Sequence, residues 1–276
     1  MSRWEGKSVL ITGAAGGLGR ALCLFFGKRG AHIHAVDIQE SSLFSLKKEL
    51  EAVAILVSIY PCDIGNNEEV EAVVREMESN HPVLDVVIHN AGISHRCEFQ
   101  GMSPKVAERI MNVNVNGAIY MTHHTLPMVV RSKGTYVAIS SVAGFSPLLG
   151  RTIYAASKHA LHGFFDTLRA ELEDEGVNVL MVCPSFIKTG LEKTAMQGDG
   201  KPVQHEKQFV GNVLSPEYVA ECIYKGVAAR KKRLYISPVA KLSLWLSRLS
   251  PSLYTRVMKR KMRLEIESAR KGSRYI

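Results

Sequence analysis

Short β-branched runs alternate with longer amphipathic stretches along most of the chain, and no other feature narrows the fold as far. Apolar runs occupy residues 8–11, 32–36 and 53–59, followed by 84–89 (LDVVIH), 135–140 (TYVAIS) and 178–182 (NVLMV). Between them, residues 17–29, 41–51, 66–78, 104–131 and 152–175 space their apolar positions as a helix does, as in Leu18, Leu22, Phe25 and Phe26. Strand–helix alternation predicts an α/β, doubly wound parallel sheet of about seven strands with helices on both faces. The near-continuous Val, Ile and Leu of the runs agrees, because strands covered on both faces have no polar side. Residues 189–214 break the rhythm. They are polar and contain glycine, and they follow a late strand, where a lid over a pocket would lie.

Charge divides the chain in two. Of 35 basic and 26 acidic residues, 14 and 2 fall within 230–276, leaving 21 and 24 before it. The body is therefore close to neutral and offers no basic face for nucleic acid. This predicts a Rossmann-type domain over 1–236 and a basic amphipathic tail over 237–276. The five cysteines, Cys23, Cys62, Cys97, Cys183 and Cys222, are widely spaced and contain no Cys-x-x-Cys pair. An odd, scattered set argues against a disulfide framework or structural zinc and for a reducing, cytoplasmic setting. The first residues lack a signal-peptide layout, and no apolar run approaches the ~20 residues of a membrane span.

The first run ends in Thr12-Gly13-Ala14-Ala15-Gly16-Gly17-Leu18-Gly19, and a helical pattern follows. Gly13, Gly17 and Gly19 allow a tight turn and a close backbone approach. The N–H groups around Leu18 open a helix whose positive end suits a pyrophosphate. Asp37 closes the second strand, 18 residues after Gly19. A carboxylate there accepts from both ribose hydroxyls of an adenosine and repels a 2′-phosphate. NAD(H) is favoured on this ground, with NADP(H) as the alternative because Arg20 lies nearby. Tyr154 and Lys158 are four residues apart, on one helix face. A phenol with its ordinary pKa near 10 is a poor base at neutral pH, and a neighbouring ammonium favours the phenolate. Tyr154 would then take a hydroxyl proton while hydride leaves the same carbon. Ser141, at a strand end, would hold the substrate oxygen.

These residues together resemble the short-chain dehydrogenase/reductase family, over roughly residues 6–236. The glycine pattern fits at Gly13, Gly17 and Gly19, the acidic residue at Asp37, and the Asp-hydrophobic pair near the adenine at Asp63-Ile64. The Asn-Ala-Gly motif fits Asn90-Ala91-Gly92, the helix asparagine fits Asn114 ahead of Gly117, and the serine fits Ser141, 13 residues before Tyr154. The resemblance implies Tyr154 as general acid/base and Lys158 as the group that lowers its pKa and holds the nicotinamide ribose. It implies Asn114 as holder of a water that links Lys158 to solvent. Pro184, Ile187 and Thr189 match the stretch that contacts the nicotinamide. Pro184-Ser185 departs from the family's Pro-Gly and puts the local loop shape in question. The activity implied is hydride transfer between NAD(P)(H) and a secondary alcohol or ketone, in a homodimer or homotetramer. A nucleotide-binding scaffold or sensor without turnover is the competing reading.

His123-His124 and His159-x-x-His162 lack a completing ligand set, so no metal is expected. The resemblance puts His162 at a dimer interface. Cys183 reads as a small buried apolar group, Met111, Met121 and Met128 as core or interface fillers, and His95 and Cys97 as borders of the substrate pocket. In the tail, Leu242, Trp245, Leu246 and Leu249 form one helical stripe, and Tyr254, Met258, Met262 and Ile266 form a row at spacing four. Arg256, Lys259, Arg260, Lys261 and Arg263 occupy much of the remaining surface. Three readings compete for residues 241–266: packing on the body or a second subunit, peripheral association with an anionic membrane surface and, third because charge alone is non-specific, nucleic-acid binding. Comparable tails in lipid- and steroid-handling members, with Phe145, Leu148 and Leu149 near the expected pocket, imply a hydrophobic substrate.

Overall fold

A computed structural model describes residues 4–189, 195–203 and 213–261. Seven parallel strands form one sheet in the order β3-β2-β1-β4-β5-β6-β7. They are β1 (Ser8–Thr12), β2 (His32–Asp37), β3 (Val57–Pro61), β4 (Val86–His89), β5 (Thr135–Ile139), β6 (Asn178–Cys183) and β7 (Arg233–Tyr235). The order reverses between β1 and β4, which opens a crevice at the carboxyl ends of those strands.

The two-residue period of the strands sorts their side chains onto two cores. Val9, Ile11, Ile33, Ala35, Ile88 and Val182 face α1 (Gly17–Gly27), α2 (Glu40–Glu51) and α7 (Pro216–Ala228). Leu10, Val36, Val87, Tyr136 and Met181 face α3 (Asn67–Asn80), α5 (Gly117–Ser132) and α6 (Thr152–Glu171). Pro residues and side-chain caps set where helices start. Asn66 accepts from the N–H groups of Glu68 and Glu69 at the head of α3. Ser215 accepts from Tyr218, ahead of Pro216 in the first turn of α7.

The helix expected over 104–131 is two helices, α4 (Pro104–Met111) and α5, joined by a π turn at Asn112–Asn116. Hydrophobic spacing does not reveal one inserted residue in a turn. The third strand begins later than its apolar run because residues 52–54 still close α2, with Ala54 at φ +58°. Two parts of the expected lid, residues 190–194 and 204–212, lie outside the described residues. Its described part, residues 195–203, is tied to the loop after β4. Met196 donates its N–H to Ser94 O at 2.9 Å, and Arg96 donates to Met196 O at 2.8 Å.

After β7 the tail forms α8 (Pro238–Leu249) and α9 (Pro251–Lys261). One face packs inward. Tyr254, Met258 and Leu246 enclose Leu148 and Leu149. Ser146 Oγ donates to Ser243 O at 3.1 Å, and Tyr254 Oη donates to Pro147 O at 3.1 Å. Burying a side chain such as Met258 contributes about 1.5–3 kcal/mol. The other face points outward: Leu242, Trp245 and Leu249 are 67%, 64% and 78% exposed. The expected stripe is thus split, with Leu246 alone turned to the body. Met262, Arg263 and Ile266 lie outside the described residues.

Candidate active site

A cavity of about 1300 Å³ opens at the carboxyl ends of the strands. Gly13, Gly17, Leu18, Asp37, Asp63, Ile64, Asn90, Ala91 and Gly92 line it, together with Ser141, Tyr154, Lys158, Pro184, Ile187 and Thr189. Gly19 lies behind the loop, buried in α1. Asn114 is buried behind the wall and does not line the cavity.

The glycine loop is held by its neighbours. Gly13 adopts φ +63°, and a Cβ there would meet Ala91 Cα at 2.8 Å. A Cβ on Gly17 would meet Thr189 O at 2.6 Å, so the loop and the segment after β6 can touch only through a glycine. Asn90 Nδ2 donates to both Thr12 O and Gly13 O at 2.9 Å. Thr12 Oγ1 accepts from the N–H groups of Asn90 and Ala91 at 3.1 Å. Asp37 braces the same loop. Its Oδ2 accepts from Ala15 N and its Oδ1 from Gln39 N, both at 3.0 Å. Arg20 is ion-paired to Glu49 on α2. Asp63 Oδ1 accepts from Gly65 N at 2.9 Å, which shapes the turn leading to Ile64. The first turn of α1 has no acidic residue and no side-chain cap. Its N–H groups and dipole therefore remain for an anion, and the cradle fits a dinucleotide pyrophosphate.

Ser141 follows β5, and its Oγ accepts from Ala143 N at 3.2 Å. Tyr154 and Lys158 stand on α6. The ammonium of Lys158 donates to Ile139 O at 2.8 Å and lies 5.7 Å from the centre of the Tyr154 ring. Burial lowers the Lys158 pKa to about 8. Burial raises the Tyr154 phenol above its ordinary value, against a hydrogen bond with Ser141 and the positive charge of Arg151. The expected lowering by Lys158 is therefore not what dominates here. Desolvation outweighs the local cations, and the ammonium is bound to a backbone carbonyl. Asn114 sits in the π turn. Its Oδ1 accepts from Ile93 N at 2.8 Å, and its Nδ2 donates to Ile93 O and Ser157 Oγ at 3.0 Å. The side chain braces the exit of β4 against α6, and a Cβ on Gly92 would meet Asn114 Oδ1 at 3.3 Å and Lys158 Nζ at 3.6 Å, so both groups stand over the same glycine.

Some of the other expectations need correction. His95 and Cys97 do not border the cavity. His95 is fully buried, and its Nε2 accepts from the N–H groups of Ile153 and Tyr154 at 3.2 and 3.3 Å. It caps the helix that carries the tyrosine. Burial lowers its pKa to about 4, the neutral state an acceptor needs. His162 faces inward, with Nε2 at 2.9 Å from Ser140 Oγ and 3.8 Å from Cys183 Sγ. Cys183 is buried and its thiol is pushed up to about 12, the state of an unreactive thiol. Phe145 packs on His162 and Tyr235, and Leu149 packs under the tail; of the three expected apolar pocket residues, only Leu148 lines the cavity. His124 pairs with Asn67, and His159 bonds the carbonyl of Ala155 in its own helix. Met121 and Met128 fill the core, and Met111 lines the cavity. The wall also holds Arg96 and Arg151, each 6% exposed, beside Ile93 and Phe186. No sequence signal marked these arginines, because nothing local brings them to the pocket. Ser185 Oγ is buried and has no hydrogen-bond partner among the described residues.

The short chain dehydrogenase family model matches residues 7–200. The chain is 34% identical over 268 residues to dehydrogenase/reductase SDR family member 7B of Bos taurus, covering 94% of this chain and 82% of that protein. It is 33% identical over 264 residues to dehydrogenase/reductase SDR family protein 7-like of Anopheles gambiae, covering 93% and 83%. Among solved structures, a short chain dehydrogenase/reductase from Burkholderia phymatum in complex with NAD superposes with a TM-score of 0.81 at 22% identity, covering 92% of this chain and 96% of that one. One from Mycobacterium paratuberculosis bound to NAD gives 0.73 at 24% identity, covering 84% and 96%.

Proposed function

The chain belongs to the short-chain dehydrogenase/reductase family of oxidoreductases, and from that premise we propose that it moves a hydride between a nicotinamide dinucleotide and a secondary alcohol or ketone. The observation that carries this reading is the joint placement of Ser141, Tyr154 and Lys158 in the wall of the same cavity as the glycine loop. When bound, the dinucleotide would supply the carbon that accepts or returns the hydride. The residues of the chain handle the oxygen and its proton. Ser141 orients the substrate oxygen, and the Tyr154 hydroxyl gives a proton to it in reduction and takes one in oxidation. A phenol kept protonated by burial is ready to act as an acid. Positive charge arriving in the cavity favours its phenolate, the base form. Lys158 holds the nicotinamide ribose in this reading, from a position anchored at Ile139.

NAD(H) is the preferred carrier. Asp37 faces the cavity, the residues after it are Ile38 and Gln39, and Arg20 is occupied by Glu49. Ile93, Leu148 and Phe186 in the wall support a hydrophobic substrate. Arg96 and Arg151 suit one that also bears an anionic group. The outward Leu242, Trp245 and Leu249, beside Lys241 and Arg248, support membrane-surface association in addition to body packing. Among the described residues no helix is long and apolar enough to cross a membrane. Homodimer or homotetramer assembly remains part of the reading and is checked by light scattering.

Tyr154→Phe tests the mechanism. Turnover should fall about 10²–10⁴-fold while dinucleotide affinity stays within about twofold. Undiminished turnover would refute the assignment. A wild-type chain that binds dinucleotide but turns over no member of a hydroxysteroid, long-chain alcohol and polyol screen would favour the scaffold reading.

A further inference from the structure

The first three residues of β2 read His32-Ile33-His34. Alternate residues of a strand share a face, so both imidazoles point to the α3 side while Ile33 enters the opposite core. His81 follows α3 directly. Its N–H donates to Met77 O at 2.8 Å, and the next carbonyl, Pro82 O, is held by Arg131 at 2.9 Å. This brings a third imidazole over the other two. The His32 and His34 rings stack at 4.5 Å, and the His81 ring stands edge-on to them at 4.5 and 4.6 Å. One ring nitrogen from each of the three lies within 4.8 Å of one from each of the others.

We propose that His32, His34 and His81 form a binding site for a divalent transition metal, with Zn²⁺ as its ion. The site stands at the amino end of β2. The cavity lies past the carboxyl end, five residues or about 16 Å along the strand from His32. The described residues contain no other such cluster of three potential ligand groups.

Three observations separate a ligand set from a packing accident. His34 is fully buried, and neither ring nitrogen has a hydrogen-bond partner among the described residues. Buried imidazole nitrogens are normally paired, and a metal is one of the few partners that fits between three of them. Second, His32 Nε2 lies 3.0 Å from Ser58 Oγ on the neighbouring strand. A hydrogen bond at one ring nitrogen holds the ring's orientation and leaves the other nitrogen to act as a ligand, the role an outer partner plays for a metal-bound histidine. Third, His32 and His81 are half-buried, so they have room to move. A tetrahedral Zn²⁺ with Zn–N near 2.0–2.1 Å needs nitrogens about 3.3 Å apart, which requires these two rings to swing inward by roughly an ångström. Ligands to the metal are neutral imidazoles, so binding competes with protons. Imidazole suits Zn²⁺, Cu²⁺ and Ni²⁺, and three ligands leave a coordination position for water or another donor. Binding would tie the end of α3 to β2.

The test uses the untagged, full-length chain stripped with a chelator. Zn²⁺ is titrated against a chromophoric competitor, and Co²⁺ is used to read the ligand-field spectrum. One Zn²⁺ per chain is expected, with a tetrahedral Co²⁺ spectrum and a higher melting temperature on metal addition. His81→Ala and His32→Ala should weaken binding by at least about 100-fold and abolish the thermal shift, whereas His124→Ala should leave both unchanged. Circular dichroism and the metal-free melting temperature of the variants check that they fold. The absence of stoichiometric binding by the wild-type chain, or equal affinity in a folded His81→Ala variant, would overturn the proposal. Neither result would bear on the hydride-transfer reading.

Discussion

His95 Nε2 accepts the backbone N–H of Tyr154 at 3.3 Å, so a buried imidazole from the loop after β4 caps the first turn of α6. Arg151, at the N-cap position itself, makes no capping bond with its side chain. His95 is thus a positioning residue. A cap contributes about 1 kcal/mol, and a displaced phenol costs more in rate than in binding. His95→Ala should lower kcat about tenfold with little change in KM or NADH affinity, and His95→Gln should restore part of it. Loss of NADH affinity equal to the loss in kcat would show general unfolding instead.

Acid should weaken the fold through buried neutral histidines. An unfolded imidazole titrates near 6.5, whereas folded His89 and His95 are held at about 3 and about 4 by burial. Between these values the unfolded chain binds protons that the folded chain does not. Stability present above pH 6.5 is therefore lost as the pH falls toward 4 for His95 and toward 3 for His89. The upper limit is about 1.4 kcal/mol per pH unit per group, or about 2 kcal/mol each at pH 5. Denaturant unfolding at pH 7 and pH 5 measures it, and His95→Gln should flatten the slope. Equal stability at the two values would contradict the neutral-acceptor reading of His95.

Asp37 has two tasks, which one substitution should expose together. Asp37→Ala removes the carboxylate that would meet the ribose and the acceptor for Ala15 N. NADH affinity should fall about tenfold or more, and the margin over NADPH should shrink, because the repulsion of a 2′-phosphate is lost as well. Fluorescence titration reads both. Tighter NADPH than NADH binding by the wild-type chain would reverse the preferred carrier.

The outward face of α8 should carry any attraction to lipid. Trp245→Ser with Leu249→Ser changes only exposed positions and keeps the Tyr254–Met258 packing on Leu148 and Leu149. Flotation with anionic liposomes should show binding by the wild-type chain, reduced several-fold in this double variant and lost on truncation at Pro238. Binding unchanged by truncation would end the membrane reading.

The sequence by itself determined what depends on short-range order. The two-residue and 3.6-residue periods set the strands, the helices and hence the α/β class. The spacing of Gly13, Gly17 and Gly19 set a loop between strand and helix, and the four-residue step put Tyr154 and Lys158 on one face. The same local logic marked Asp37 at a strand end. It missed the π turn around Asn114, because one extra residue leaves the apolar pattern nearly unchanged. Only the tertiary structure decided what each group meets. It set His95 beneath Tyr154, bound Lys158 to Ile139, placed Arg96 and Arg151 in the cavity wall and brought His81 against His32 and His34. Such contacts join residues 19–59 positions apart, and strand order and crossover packing bring them together. The same is true of protonation. Burial, a property of the whole fold, sets the phenol of Tyr154 and the ammonium of Lys158 against the shift that their spacing alone suggests.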